Sequence, residues 1–194
     1  MTQTPAALFR FNADAHTYVD LLTGEELPHI TKMLENAGLV DDTWFTEESC
    51  ERGTEVHRLT KDYDLEALDP DGCVSIYRGY LLAHVKAVSV IQPRWEGIEE
   101  PLVHPQYRFG GRLDRLGVFY GAAGVLEIKT GLVTRAHQIQ TALQAILAAP
   151  RFGLPAEMLT RYVLYLKDKG KFKLERHEDR HDFDTARVII RNHT

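Results

Sequence analysis

Three charged residues near the middle of the chain have types and a spacing that could do chemistry. The run VLEIK at 125–129 places Glu127 and Lys129 two residues apart, and Asp114 lies thirteen residues before Glu127. In a strand, residues two apart share one face, so both charges of the run would lie in one environment. Because a buried charge is tolerated only when it is paired or holds a metal, the run predicts either a structural ion pair or a site.

The residue types favour metal-assisted chemistry. Mg²⁺ and Mn²⁺ prefer carboxylate, carbonyl and water oxygens, so Asp114, Glu127 and the carbonyl of Ile128 predict a partial metal shell. A cation held there lowers the pKa of a bound water and neutralises charge on a scissile phosphate. Lys129 beside this shell can orient the attacking water or stabilise the transition state.

Two neighbouring strands and a helix must position these residues. Alternation and turn residues predict strands at about 101–107, 111–120 and 125–129, with the turn 121–124 between the last two. A hairpin of those strands puts Asp114 and Glu127 in one sheet. Thr134 then predicts the cap of a helix over 135–149, whose polar flank carries His137, Gln140 and Gln144.

The rest of the chain alternates helical and extended patterns. We predict an N-terminal β-meander, strands at 159–166 and 172–176, and helices at 30–34, at 47–68 with a cap at Thr46 and an interruption at Gly53, at 75–91 and at 183–191. The fold class is therefore α/β, as a single domain with a mixed central sheet flanked by helices. Its parts are 1–45 (meander and short helix), 46–150 (helices and core) and 151–194 (hairpin and helix).

Composition limits the function classes. The chain has 194 residues, of which 44% are hydrophobic and 26% charged, as in a globular protein with a sizeable core. The formal charge of -5 argues against a protein coated in basic surface. Any binding of nucleic acid therefore has to come from a local patch and from metal ions.

Targeting and cysteine patterns indicate a reduced, cytosolic protein without a membrane partner. No apolar run reaches the roughly 20 residues that span a bilayer, and the first residues lack the pattern of a signal peptide. Cys50 and Cys73 are two cysteines without a CxxC spacing, so no disulfide framework, zinc cage or four-cysteine cluster is predicted. We expect a cytoplasmic location, in a bacterial host if the protein is encoded by a phage.

Several stretches, in order along the chain, resemble the PD-(D/E)xK nuclease superfamily. They are HTYVDLLTGEELPHIT near the start, GTEVH at 53–57, IEEPLV at 98–103, GGRLDRLG at 110–117, LEIKTG at 126–131 and HQIQTAL at 137–143. The likeness is to the RecB-like and lambda-exonuclease-like branch, in particular phage-type exonucleases. It implies a restriction-endonuclease-like core, a Mg²⁺ or Mn²⁺ cofactor, and catalysis by Asp114, Glu127 and Lys129.

The resemblance also implies roles that spacing does not give. A histidine in a G-x-x-x-H helix reaches the metal in such enzymes, which corresponds to His57 here. A glutamate on the strand before the aspartate corresponds to Glu100, with Glu99 as the alternative if the register differs by one. A glutamine on the helix after the core corresponds to Gln140, with a catalytic or DNA-contacting role. Where many relatives have a tyrosine four residues later, this chain has Gln144.

Basic residues around the core hairpin are candidates for DNA contacts. Cations near the cleavage point can bind backbone phosphates. The candidates are Arg108, Arg112, Arg115, Arg135 and His137. These side chains can equally offset neighbouring acids.

The predicted function is a metal-dependent DNA exonuclease in phage or mobile-element recombination or repair. Two alternatives remain open: a structure-specific or single-strand endonuclease on the same core, and a nuclease-like module that binds DNA or protein without cleaving. The resemblance allows a homo-oligomer and a single-strand annealing protein as partners besides DNA.

Overall fold

The structure, a computed structural model, describes residues 8–40 and 46–193. This part of the chain has an α/β architecture with a small three-stranded sheet and a mixed five-stranded sheet. The small sheet contains β1 (Phe9–Asn12), β2 (Thr17–Asp20) and β3 (Glu26–Leu27). The large sheet contains β4 (Arg94–Val103), β5 (Gly110–Phe119), β6 (Ala122–Lys129), β7 (Thr160–Lys167) and β8 (Lys171–Arg176). The helices are α1 (Ile30–Asn36), α2 (Glu47–Asp64), α3 (Arg78–Ile91), α4 (Arg135–Phe152) and α5 (His181–Arg191).

The large sheet has the strand order β4-β5-β6-β7-β8. Its pairs are antiparallel except β6 with β7, which are parallel. A parallel pair needs a crossover connection, and α4 lies in the chain between β6 and β7. The predicted α/β class with a mixed central sheet is therefore confirmed.

The hairpin of β5 and β6 has a tighter turn than the sequence predicts. Phe119 pairs with Ala122, so the loop is the two-residue segment Tyr120 and Gly121. Both residues have positive φ, 50° and 82°, as a two-residue type I′ hairpin turn requires. The predicted turn at 121–124 is one to three residues too late, because Ala122 and the residues after it already belong to β6.

The two faces of the large sheet pack against different helices. One cluster joins Leu116 and Val125 of the sheet to α1, α4 and α5. The other joins Leu126 and Ile128 to Ala83 and Ala87 of α3. The predicted alternation along β6 is thus confirmed, because Leu126 and Ile128 are buried on the face opposite Glu127.

Near the centre of the chain, one strand and one helix have boundaries that differ from the prediction. β4 covers Arg94–Val103 rather than 101–107, because the next residues form a turn. In that turn, Nδ1 of His104 accepts hydrogen bonds from the amides of Gln106 and Tyr107. Helix α3 begins at Arg78 rather than at 75.

Helices α2 and α4 begin at the predicted residues, but they end at other residues than predicted. The predicted cap of α2 is confirmed, because Thr46 Oγ1 accepts from the amide of Ser49 at 3.1 Å. The helix continues through Gly53 without interruption and ends at Asp64. Thr134 is the first flanking residue of α4, as predicted, but its side chain makes no capping hydrogen bond. α4 also extends past 149, and Pro150 lies within its last turn.

No helix within residues 8–40 and 46–193 combines the length and the apolar composition that crossing a bilayer requires. Cys50 is exposed and Cys73 is buried, and both are free thiols.

Candidate metal centre

Asp114 lies where β5 and β6 separate. The two strands pair as far as Arg115 opposite Leu126, and the ladder ends there. One position further, Oδ2 of Asp114 accepts a hydrogen bond from the amide of Ile128 at 2.7 Å. The carboxylate thus satisfies a backbone donor that the neighbouring strand no longer reaches. This bond holds the Asp114 side chain between the two strands, while Ile128 contributes its backbone and buries its side chain in the core.

Glu127 is buried and accepts three short hydrogen bonds. Its Oε1 accepts from Lys129 Nζ and Gln140 Nε2, both at 2.6 Å, and its Oε2 accepts from Gln144 Nε2 at 2.6 Å. Burial raises the pKa of Glu127, but the Lys129 ammonium and the Gln144 amide outweigh burial and hold it below its usual value. Burial likewise lowers the pKa of Lys129, but Glu127 and Asp114 raise it above its ordinary value. The two side chains are therefore an ion pair at neutral pH.

His57, Glu99 and Asp114 converge from three elements. Nδ1 of His57, on α2, lies 3.1 Å from Oε1 of Glu99 on β4 and 3.4 Å from Oδ1 of Asp114 on β5. One ligand atom from each of the three residues lies within 4.8 Å of the others. Glu99 has a φ of 50°, which is uncommon for a residue other than glycine and rarer still inside a strand. Such conformations cluster at functional sites, where neighbouring contacts hold them.

The charges of this group perturb one another. Burial lowers the pKa of His57, but Asp114 and Glu99 outweigh burial and raise it to about 9. Burial raises the pKa of Asp114, and the charge of Glu127 raises it further, to about 7. Burial also raises the pKa of Glu99, but His57 and the neighbouring arginines lower it overall. Burial and the Glu127 charge therefore disfavour the ionised form of Asp114, and a cation beside this carboxylate would favour it.

The structure selects between the two adjacent glutamates of β4. Glu99 contacts His57, whereas Oε1 of Glu100 accepts from Arg151 of α4 at 2.9 Å. Successive residues of a strand point to opposite faces, so only one of the two can reach the group. The structure therefore places Glu99, the alternative that the sequence left open, in this group, and it places Glu100 outside it. Metal binding by Glu99 stays a prediction.

Arg115 is fully buried behind the group rather than on a DNA-facing surface. Its side chain is 0% exposed. Its Nε lies 2.6 Å from Oδ2 of Asp64, which also lies 2.9 Å from Nε2 of His84. A guanidinium atom of Arg115 donates to the backbone carbonyl of Asp114 at 2.6 Å, and the same atom lies 3.5 Å from Oε1 of Glu99. The predicted DNA contact is wrong for Arg115, because a buried guanidinium cannot meet a phosphate.

Arg108 and Arg135 are engaged with acids elsewhere in the fold. Arg108 lies 3.2 Å from Asp20 and 2.8 Å from Glu25, so it ties the β4–β5 loop to the small sheet. Arg135 lies 2.9 Å from Asp182 of α5. Both contacts correspond to the alternative that these arginines offset neighbouring acids.

Arg112 and His137 lie closer to the group. Nε of Arg112 lies 3.1 Å from Oε2 of Glu99, and its side chain is partly exposed. Nδ1 of His137 lies 2.9 Å from the hydroxyl of Tyr165 on β7. Burial lowers the pKa of His137 to about 4, so its imidazole is neutral at physiological pH and offers no positive charge to a phosphate.

Three residues of this region were not assigned a role from the sequence. Gln144 follows Gln140 by one helical turn on the same face of α4, and that spacing was the available signal. Asp64 and His84 reach the region from α2 and α3, far from Asp114 in sequence. No local pattern indicates that Asp64 pairs with both Arg115 and His84.

In comparisons with known proteins, no protein-family model matches this chain, and no curated protein matches it either.

Proposed function

We propose that this chain is a Mg²⁺- or Mn²⁺-dependent DNA nuclease that hydrolyses phosphodiester bonds on a core of the PD-(D/E)xK type. One observation carries the proposal: Asp114, Glu127 and Lys129 meet where β5 and β6 separate, beside His57 and Glu99. The His57 and Lys129 side chains are each 26% exposed, so the group is open to solvent on one side.

The residues fit a hard divalent cation. The ones that would hold it are His57, Glu99, Asp114 and Glu127, which offer carboxylate oxygens and one imidazole nitrogen. The raised pKa of Asp114 supports the fit, because burial and the Glu127 charge disfavour the ionised carboxylate until positive charge is added. A bound cation would lower the pKa of a water molecule and neutralise charge on the phosphate.

The protein's own side chains have separate tasks. Lys129 is held 2.6 Å from Glu127 and reaches solvent, so its ammonium can stabilise negative charge that develops on a phosphate oxygen. Gln140 and Gln144 each donate to a different oxygen of Glu127, which fixes the orientation of that carboxylate. On the opposite side of the group, Arg115 and His57 each contact Oε1 of Glu99 and so restrain its side chain.

The direct test is digestion of linear double-stranded, linear single-stranded and closed circular DNA with Mg²⁺ or Mn²⁺. The wild type is compared with Lys129→Ala and with Lys32→Ala, a control lysine on α1 that pairs with Glu35. We expect cutting of linear DNA by the wild type and the control, and a loss of at least a hundredfold in Lys129→Ala, as for removal of one transition-state donor.

The outcomes separate the alternatives. Degradation of linear DNA alone supports an exonuclease, which is the direction that the sequence resemblance implies, together with a role in phage or mobile-element recombination. Nicking or cutting of the circle supports an endonuclease on the same core. If the wild type cuts no DNA with either metal, the proposed catalysis is wrong and a binding module becomes the better interpretation.

A further inference from the structure

A lysine-rich segment lies outside the residues of the candidate metal centre. The run KDKGKFK at 167–173 contains four lysines and one aspartate, whereas the whole chain has a net charge of -5. The structure places this run at the end of β7, in the following turn and at the start of β8. We call it the lysine hairpin. It is a local excess of positive charge on an acidic protein.

The lysine hairpin lies at the same end of the sheet as the candidate centre. Because β6 and β7 are parallel, Lys129 at the end of β6 is level with Tyr165, two residues before Lys167. Tyr165 in turn is level with Lys173 of β8. Lys167 Nζ also donates to the carbonyl of Gly131 at 3.2 Å, so the hairpin contacts the loop that follows Lys129.

The pleat puts the lysines of β8 on the face of the candidate centre. Lys173 shares a face with Tyr165 and Lys129, since cross-strand partners lie on the same side of a sheet. Phe172 and Leu174 alternate with the lysines and pack against the core cluster on the α3 face. The apolar residues therefore fix the register that displays the lysines on the other face.

The tip of the hairpin has a fixed position. Gly170 has a φ of 64°, which a three-residue hairpin loop needs at its last position. Lys86 of α3 donates to the carbonyl of Gly170 at 3.1 Å. The carbonyl of Asp168 packs directly on Gly79 of α3, where a side chain would overlap it. The lysines are thus presented from an anchored backbone.

The lysine side chains are available to a ligand. Lys167, Lys169, Lys171 and Lys173 are all exposed. Lys173 lies 2.7 Å from Glu175 and is still 63% exposed. In the described part of the chain, no carboxylate lies within ion-pair distance of Lys169 or Lys171. The positive charge of these two residues is not neutralised within the fold.

We propose that the lysine hairpin binds the phosphate backbone of the DNA strand that enters or leaves the candidate centre. β6 and β8 are two strand spacings apart, roughly 10 Å, which corresponds to about three nucleotides at 3.4 Å of rise. Lysines at that distance from Lys129 contact phosphates about three nucleotides from the one being cleaved, and such contacts carry no base specificity. This inference rests on the proposed nuclease function, because that function makes DNA the ligand.

The test measures DNA binding apart from cleavage. Binding of a short fluorescein-labelled single strand, and of its duplex, is followed by anisotropy in EDTA between about 50 and 200 mM salt. The test variant is Lys169→Gln/Lys171→Gln, which removes the two unpaired lysines. We expect weaker binding, on the order of tenfold at the lowest salt, and a salt slope smaller by about 1.4 for the single strand and about 1.8 for the duplex.

A matched control removes two positive charges from the opposite end of the sheet. Arg94 begins β4 and Arg176 ends β8, and both are largely exposed. Arg94→Gln/Arg176→Gln therefore changes the net charge equally, and it should bind as the wild type does. Equal weakening of both variants would overturn the inference, because the effect would then be one of net charge.

Cleavage by the wild type separates this inference from the proposed function. If the wild type cuts DNA with Mn²⁺ and the lysine variant binds as tightly as the control, the inference is wrong and the nuclease function stands. If the wild type cuts nothing but the lysine variant alone loses binding, the nuclease function is wrong and the lysine hairpin is still a DNA-binding element. If the wild type does not bind DNA at all, the inference is overturned.

Discussion

His57 Nδ1 lies 3.1 Å from Oε1 of Glu99, and this contact selects Glu99 over the adjacent Glu100 as the acidic partner from β4. If Glu99 holds the cation, Glu99→Gln should lower Mn²⁺ affinity at least tenfold, because a charged oxygen ligand is lost. A tenfold loss removes about 1.4 kcal/mol of metal-induced stabilisation when Mn²⁺ is in excess. The measurement is the rise in melting temperature on adding Mn²⁺.

Glu100→Gln is the matched control for that experiment. Glu100 pairs with Arg151, a side chain that is 44% exposed, and exposed ion pairs contribute about 1 kcal/mol or less. We expect Glu100→Gln to keep the full response to Mn²⁺. A lost response in Glu100→Gln with a normal one in Glu99→Gln would contradict the assignment and restore the register that the sequence first favoured.

The buried contact of Arg115 with Asp64 predicts a large effect on stability. Arg115→Met leaves the Asp64 carboxylate buried without its guanidinium partner, and breaking a buried pair on one side costs about 3–5 kcal/mol. Urea unfolding of the metal-free protein measures this loss. The double variant Arg115→Met/Asp64→Asn removes the orphaned charge, so it should be more stable than Arg115→Met alone. Additive losses in the double variant would show that the two side chains are not coupled.

Most of the sheet could be predicted from the sequence because its signals are local. Alternating residues in 125–129 and a glycine-containing turn are enough to indicate the hairpin of β5 and β6. The start of β4 could not be predicted in the same way. Its first residues include Glu96 and Gly97, which match no strand pattern, and its pairing with β5 is a tertiary effect.

The candidate centre likewise contains some residues that the sequence predicts and others that depend on tertiary contacts. Asp114, Glu127 and Lys129 follow from strand spacing and pairing, which sequence reveals. The choice of Glu99 depends on its left-handed backbone conformation within β4, and no residue type in the segment IEEPLV predicts that conformation. The burial of Arg115 depends on Asp64 and His84 from two helices, so an exposed phosphate contact was the wrong interpretation of an arginine beside Asp114.

The raised pKa of His57 predicts a pH-dependent stability of the metal-free protein. Its pKa is about 9 in the folded protein against an ordinary 6.5, because Asp114 and Glu99 outweigh burial. The folded state therefore binds the proton more tightly, so this contribution is complete below pH 6.5 and is lost as the pH rises through 9. We expect the melting temperature in EDTA to fall by about 5 °C across that window.

His57→Asn is the control for the pH experiment, and the stabilisation by Mn²⁺ should have the opposite dependence on pH. The variant lacks the titrating imidazole, so its melting temperature should change less between pH 6.5 and 9. A metal competes with protons for its ligands, so the stabilisation by Mn²⁺ should grow as the pH rises over the same range. A Mn²⁺ effect that is independent of pH would argue against His57 as a ligand.

Gly53 and Gly79 lie in helices but should respond oppositely to alanine. A Cβ at Gly53, in α2, would meet nothing within 4 Å, so Gly53→Ala should raise the free energy of unfolding by about 0.5–1 kcal/mol through helix propensity. A Cβ at Gly79, in α3, would overlap the carbonyl oxygen of Asp168. Gly79→Ala should therefore cost about 1–3 kcal/mol, as overpacking does, and displace the turn after β7. Urea unfolding of both variants checks the signs, and a stabilised Gly79→Ala would mean that this turn does not pack on α3.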